Sequence, residues 1–146
     1  MPKLKRPRAP RQPRYERLTA WQAVHDLTLA IYRETFSWPE EHQQVLADEL
    51  RTSATAAATA IVLGSMETDA RGFRRHLSVA IGKLARVDCA WELVQRLEVV
   101  QPERWGEIEA KRDHAERLTR GLYAALGRTE KGREGRSNAS TAPGSW

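Results

Sequence analysis

The chain has 146 residues, of which 40% are hydrophobic, and a net charge of +5; this fits one domain with a modest core. No stretch approaches the about 20 apolar residues that a membrane-spanning helix needs, and no apolar segment follows the basic N-terminus, so we expect neither a membrane protein nor a secretory signal. The single cysteine, Cys89, excludes an internal disulfide, and a cytoplasmic protein is the simplest expectation.

The positive charge is concentrated at the two ends of the chain. Residues 1–17 hold seven Lys or Arg against one Glu, residues 128–146 hold four basic against two acidic residues, and residues 18–127 therefore carry −3. Four prolines in the first segment exclude a regular helix and interrupt strand pairing. We predict a disordered basic arm at residues 1–17. Two interpretations stay open: a solvated tail that keeps the protein soluble, or an arm that binds a polyanion.

The first predicted helix runs from about Thr19 to Phe36 and is followed by a turn at Trp38-Pro39. Thr19 and Gln22 have the spacing of a capping box, so we expect Thr19 to cap the helix. Two sets of apolar residues recur at helical spacing, which indicates a helix buried on two sides. The main stripe is Leu18, Trp21, Val24, Leu27 or Thr28, and Ile31, and the second face is Leu29, Tyr32 and Phe36.

The second predicted helix runs from about Glu40 to Leu63, and Gly64 is its expected stop signal. Residues 52–60 are all Ala, Ser or Thr, and a helix so thin lets a neighbouring helix approach closely. The predicted inner face is Val45, Leu46, Leu50, Ala54, Ala57 and Ile61.

The third predicted helix is the longest apolar stripe of the chain and covers residues 73–100, with Thr68 or Asp69 as its cap. Large apolar residues follow one another at steps of three or four, as on one face of a helix. Trp91 stands in the middle of this stripe, so we predict that it is buried. The stripe is Phe73, Leu77, Ile81, Leu84, Val87, Trp91, Val94 and Leu97.

The fourth predicted helix runs from about Pro102 to Leu126 and is expected to stop at Gly127. The segment after it, residues 128–146, is rich in Gly and Ser without periodicity and is predicted to be disordered. Four helices with short connections predict an all-α, antiparallel up-down four-helix bundle over residues 18–127. We find no strand signal.

The chain lacks the residue patterns of common catalytic and metal sites. A di-iron bundle needs Glu-x-x-His on two helices. The residues three positions before the four histidines are Gln22, Pro39, Phe73 and Lys111. Cys89 is expected to be a small buried or boundary residue with no nearby base, and no Gly-rich phosphate loop is present. We therefore expect no metal, no cofactor and no enzymatic activity.

A basic cluster at Arg71, Arg74, Arg75 and His76 lies in the first turns of the third helix. The helix dipole prefers anions there, so the arginines either pair with acids such as Glu67 and Asp69 or meet an external anion such as phosphate. Both readings stay open. The candidate nucleic-acid-binding residues are Lys3, Lys5, Arg6, Arg8, Arg11, Arg14 and Arg17 in the arm, and Arg71, Arg74 and Arg75 in the cluster.

Several segments of residues 18–100 have a characteristic order and spacing. They are Leu18-x-x-Trp21-Gln22-Ala23, Ile31-Tyr32 and Phe36-x-Trp38-Pro39, then Leu46-x-x-x-Leu50-Arg51 and Ile61-x-x-Gly64, and last Phe73-x-Arg75-x-Leu77-x-x-Ala80-x-Gly82-x-Leu84. This order resembles the bacterial four-helix-bundle family encoded in intervening sequences of large-subunit ribosomal RNA genes. The chain departs from the family at Ala58, Ala60 and Leu63, where relatives usually have Pro, Asn and Glu.

The resembled family includes the accessory variability determinant of diversity-generating retroelements, a homopentameric ring that binds a reverse transcriptase and nucleic acid. The resemblance thus implies a homo-oligomer, most simply a pentamer, with nucleic acid and a reverse transcriptase as expected partners. We expect a non-enzymatic protein that associates with nucleic acid, in particular RNA, as an accessory of a larger machine. The alternative is an oligomeric scaffold that binds protein and no nucleic acid.

Overall fold

The computed structural model describes residue 15, residues 18–39 and residues 41–140, with only the backbone described for residues 42 and 136–140. The predicted basic arm, apart from Tyr15, and residues 141–146 of the predicted tail lie outside the described residues.

Four α-helices make up almost all of the described chain. They are α1 (Thr19–Phe36), α2 (Glu41–Ser65), α3 (Ala70–Arg96) and α4 (Gly106–Ser140), and a short 3-10 turn at Pro102–Arg104 precedes α4. Each helix packs against the next along the chain, and α4 packs back against α1. The described residues contain no strand, and the predicted antiparallel up-down four-helix bundle is confirmed. None of the described helices has the length and apolar character that crossing a membrane requires.

The core is built from the inward stripes of all four helices, with α2 and α3 making the most extensive contact. Ala54 and Ala57 of α2 are fully buried, and their small side chains let α3 come close. Trp91 is 1% exposed, which confirms its predicted burial. The largest of the other fully buried side chains are Leu27, Ile31, Leu50, Ile61, Leu77 and Leu84.

Three residues predicted on inner or boundary positions face the solvent instead. Val45 is 72% exposed because the neighbouring Leu46 occupies the inward position of α2. Leu97 is 64% exposed because α3 ends at Arg96, and the chain turns away at Glu98, whose φ is 55°. Cys89 is exposed rather than buried or at the boundary.

The second apolar face of α1 is not covered within this chain. Leu29 and Phe36 are exposed and Tyr32 is partly buried, whereas Val24, Leu27 and Ile31 of the main stripe are fully buried. Burial of α1 on two sides therefore stays a prediction that only an assembly of chains can fulfil.

The helix ends follow the predictions only in part. The N-cap of α1 is Leu18, which makes no side-chain cap hydrogen bond, so the predicted cap at Thr19 is wrong. At α3, the side chain of Asp69 accepts a hydrogen bond of 2.7 Å from the Gly72 N–H, which confirms one of the two proposed caps. Gly64 lies within α2 rather than after it, because α2 continues to Ser65.

The fourth helix does not stop at Gly127 but continues to Ser140, so the predicted stop is wrong. Gly127 is buried beneath α3, and a Cβ atom there would lie 3.1 Å from the guanidinium carbon of Arg74. Its lack of a side chain serves close packing, and the Arg, Lys and Glu residues that follow are good helix formers. The 35 residues of α4 span about 50 Å, against about 40 Å for the 27 residues of α3. We call residues 127–140 the α4 extension.

Candidate nucleic-acid interface

One end of the bundle gathers the basic segments of the chain. Because consecutive helices run in opposite directions, the start of α1, the end of α2, the start of α3 and the α4 extension meet at the same end. The arm joins α1 there, since α1 begins at Thr19. The topology thus brings the attachment point of residues 1–17 to the same end as the arginine cluster of α3, although the two are separate in sequence. We call this end of the bundle the basic pole.

Arg74 is bound to α4 rather than pointing freely into solvent. Its Nε donates a hydrogen bond to the carbonyl oxygen of Tyr123 at 3.2 Å, and its Nη1 pairs with Oε2 of Glu130 at 3.3 Å. The guanidinium also lies 4.0 Å from the centroid of the Tyr123 ring. With its side chain only 29% exposed, Arg74 has a structural role in holding the α4 extension, which the sequence did not indicate.

The two acids expected to neutralise the arginine cluster have other partners. Asp69 caps α3, and Oε1 of Glu67 lies 3.0 Å from Nε2 of His76. Arg71 and Arg75 are exposed and make no ion pair with any residue that the structure describes. Their positive charge stands at a helix start, where the dipole disfavours it, and so an external anion would relieve the repulsion.

The α4 extension adds cations that the sequence analysis had assigned to a disordered tail. Arg128, Lys131 and Arg133 are exposed along it, while Glu130 is held by Arg74. The signal that was available is the run of Arg, Lys and Glu after Gly127, which has high helix propensity. Three glycines in this segment mask that signal, because glycine is typical of loops and helix ends. They are Gly127, Gly132 and Gly135. Arg136 lies further along the same helix, with only its backbone described.

The sequence-predicted site residues therefore divide into three groups. Arg71 and Arg75 stand exposed at the basic pole, and Arg74 is turned into the contact with α4. The arm residues Lys3, Lys5, Arg6, Arg8, Arg11, Arg14 and Arg17 lie outside the described residues.

A second group of charged residues lies at the middle of the α3–α4 contact. Nη1 of Arg112 donates to Oδ1 of Asp88 at 3.1 Å. Burial of the neighbouring Glu116, its hydrogen bond with Asp88 and the negative charge of Asp88 together raise the pKa of Glu116 to about 7. The space beside these side chains measures about 20 Å³, which is room for about one water molecule. The group therefore ties two helices together and leaves no room for a substrate.

Metal binding finds no support in the part of the chain that the structure describes, since no three His, Cys, Asp or Glu side chains there are arranged to hold an ion.

The family model described as 23S rRNA-intervening sequence protein matches residues 16–121. The match extends the sequence resemblance into α4, and leaves residues 1–15 and the α4 extension outside it. No curated protein matched the chain.

Proposed function

The chain belongs to the 23S rRNA-intervening sequence protein family, and from this premise we propose that it is a non-enzymatic protein that associates with RNA through its basic pole. The observation that carries the proposal is the pair Arg71 and Arg75. Both are exposed without an acidic partner among the described residues, at the end of the bundle where the basic arm is attached. Guanidinium groups bind phosphates through paired, charge-assisted hydrogen bonds.

The charge distribution supports a local interface rather than a generally basic surface. Residues 18–127 carry −3, while residues 1–17 carry +6. Affinity for a polyanion must therefore come mostly from the arm, and the cations of α3 and of the α4 extension lie at the end of the bundle where the arm is attached. An interface of this kind positions the protein on the RNA backbone and reads little sequence.

We also propose that the protein works as a homo-oligomer, and a pentamer is the subunit count that the resemblance implies. Several large apolar side chains on or next to α1, α2 and α3 are exposed, and their exposure supports assembly because contact between copies would bury them. They include Leu29, Val45, Met66, Leu93 and Leu97. Several arms on one assembly would bind RNA with avidity. Such a particle suits an accessory of a larger machine such as a reverse transcriptase.

The same exposed apolar surface favours one alternative, an oligomeric scaffold that binds protein and no RNA. Gel filtration with light scattering tests the assembly that both functions need. A mass of 16.6 kDa at micromolar concentration contradicts it.

RNA association is tested with the full-length chain and with the chain lacking residues 1–17. Fluorescence anisotropy with a labelled RNA, measured from 50 to 200 mM salt, reports the affinity and its salt slope. We expect the full-length chain to bind at low salt with little sequence preference. We expect the truncation to weaken binding strongly and to flatten the slope, since fewer counterions are released. Unchanged affinity and slope would make the arm a solubilising tail, and absence of binding by the full-length chain would favour the scaffold.

A further inference from the structure

A shallow groove of about 490 Å³ lies on the outer side of α2, away from the core. Most of the groove floor is formed by α2 between Thr52 and Ala60, where all the side chains are small. Side chains of the neighbouring helices therefore rise above this floor. Tyr32 of α1 lines one part of the groove, and Val79 and Lys83 of α3 line another. The bundle does not need this groove for its core, because the inner face of α2 is already filled.

Two aromatic rings stand at the Tyr32 end of the groove. Phe36 is 75% exposed, and its ring centroid lies 6.0 Å from that of Tyr32, with the two planes at 66°. The guanidinium of Arg51 lies 5.4 Å from each of the two centroids. Its Nε donates a hydrogen bond of 2.7 Å to Oγ1 of Thr35, which fixes it between α1 and α2. The Phe36 ring is thus presented to solvent beside the partly buried Tyr32, whereas the Arg51 side chain is only 18% exposed and also pairs with Asp48 at 3.8 Å.

The charges that line the groove favour an anionic occupant. Its ionisable side chains, apart from the Tyr32 phenol, are Lys83 and His76, and no Asp or Glu lines it. His76 is held by Glu67, whereas Lys83 makes no ion pair with a described residue. A neighbouring apolar groove around Cys89 differs, because there Arg86 is neutralised by Glu49 at 3.2 Å.

Resting on the proposed association with RNA, we infer that this groove binds a single-stranded segment of the RNA, with a base against Tyr32 and Phe36 and the backbone towards Lys83. Unpaired bases stack on aromatic rings and on guanidinium planes. A duplex keeps its bases stacked on each other and offers no free base face to these rings. The basic pole supplies affinity for any RNA, and the groove supplies a preference for single strands.

The inference is tested by anisotropy with two labelled probes, a 12-nucleotide oligouridine and a 12-base-pair RNA duplex, on the full-length chain. We expect Phe36→Ala to weaken oligouridine binding about tenfold, within the range of one lost stacking contact, and to leave duplex binding unchanged. Phe36→Tyr retains the ring and should restore the affinity. Lys83→Gln should weaken oligouridine binding by a smaller factor and flatten its salt slope.

Gln101→Ala is the control, since Gln101 is exposed before the 3-10 turn and does not line the groove; it should leave both affinities unchanged. Oligouridine modified with 5-iodouracil should form a photo-crosslink in the peptide that contains Tyr32 and Phe36. Each variant is also weighed by light scattering. A lower mass for Phe36→Ala, with loss of binding to both probes, would identify the groove as a contact between copies and overturn the inference.

The inference also fails if Phe36→Ala and Lys83→Gln bind oligouridine as tightly as the parent. The proposed function survives that result, provided that the parent binds both probes and loses its salt dependence when residues 1–17 are removed. A parent that binds neither probe at low salt contradicts the proposed function and the groove together.

Discussion

The guanidinium of Arg74 on α3 lies 4.0 Å from the centroid of the Tyr123 ring on α4 and hydrogen-bonds to the Tyr123 carbonyl oxygen. The same side chain reaches Glu130, about two turns further along α4. One residue at the start of α3 therefore holds the point where α4 leaves the family-matched part of the chain and continues as the α4 extension.

Replacement of Arg74 by Ala should loosen the α4 extension while the rest of the bundle stays folded. The change removes charge-assisted hydrogen bonds, each typically worth about 1.5–3 kcal/mol, and the partial exposure of Arg74 places its effect on the free energy of unfolding at the lower end. Hydrogen exchange should show amides from about Gly127 onward losing protection. Arg75→Ala is the control, because Arg75 is exposed and should change the free energy of unfolding by less than about 0.5 kcal/mol. Equal protection in both variants would contradict the anchoring role.

Gly127 and Gly121 lie on the same helix but should respond differently to alanine. Gly121 has no atom within 4 Å of its potential Cβ, so Gly121→Ala should raise the free energy of unfolding by about 0.5–1 kcal/mol through helix propensity. Gly127→Ala places a methyl group 3.1 Å from the Arg74 guanidinium, and displacement of Arg74 should cancel that gain. Thermal unfolding followed by circular dichroism measures both. A similar gain at the two positions would show that Arg74 moves aside without loss.

Trp91 and Leu97 lie on the same predicted stripe, but Trp91 is in the core and Leu97 is on the surface. Replacement by alanine should therefore affect stability very differently at the two positions. Trp91→Ala should lower the free energy of unfolding by about 3–5 kcal/mol, because Trp91 is 1% exposed. Leu97→Ala should change it by less than about 0.5 kcal/mol, since Leu97 is mostly exposed beyond the end of α3. Urea denaturation of the two variants beside the parent measures the difference. A Trp91→Ala protein that unfolds at the parent's midpoint would place the core elsewhere.

The pH dependence of stability should contain a contribution from Glu116. Its pKa is raised from 4.5 to about 7, chiefly by burial, so the folded state binds this proton more tightly than the unfolded chain does. The contribution is fully present below pH 4.5 and is lost as pH rises through about 7.

Glu116→Gln keeps a neutral side chain at all pH values and should remove this loss. The variant should gain stability over the parent at pH 8 relative to pH 5, as measured by urea denaturation at both. Glu103→Gln, at an exposed position of the 3-10 turn, controls for the loss of one negative charge. A parent and a Glu116 variant with parallel pH profiles would show that Glu116 ionises freely.

The sequence predicted the helices well because their signal is local and repeated. In α3, one wrong assignment at Leu97 does not disturb the stripe that places Leu77, Leu84 and Trp91 in the core. The end of α4 could not be predicted in the same way. Whether Gly127 stops a helix depends on Arg74, which is 53 positions earlier and fills the space above the glycine.

The candidate site could likewise be predicted only where it depends on residues that are close in sequence. That Arg71, Arg74 and Arg75 cluster at a helix start is visible in the sequence. The partners of the charged groups are not visible there. Glu67 pairs with His76, and Glu130 pairs with Arg74, only once α2, α3 and α4 are packed. Phe36 was assigned to a face expected to be buried, so its exposure beside Tyr32 and Arg51 emerged only from the fold.

The uninterrupted course of α4 from Gly106 to Ser140 makes ligand binding and folding thermodynamically linked. Helix propagation is cooperative, so an RNA that holds Arg128, Lys131 or Arg133 in helical geometry also stabilises the turns before them. Those turns include Ala115 and Thr119, which are fully buried in the bundle. A ligand that binds only the ordered extension therefore raises the melting temperature of the whole domain, by an amount that grows with the logarithm of its concentration above its Kd, and thermal unfolding would report whether an RNA engages this helix.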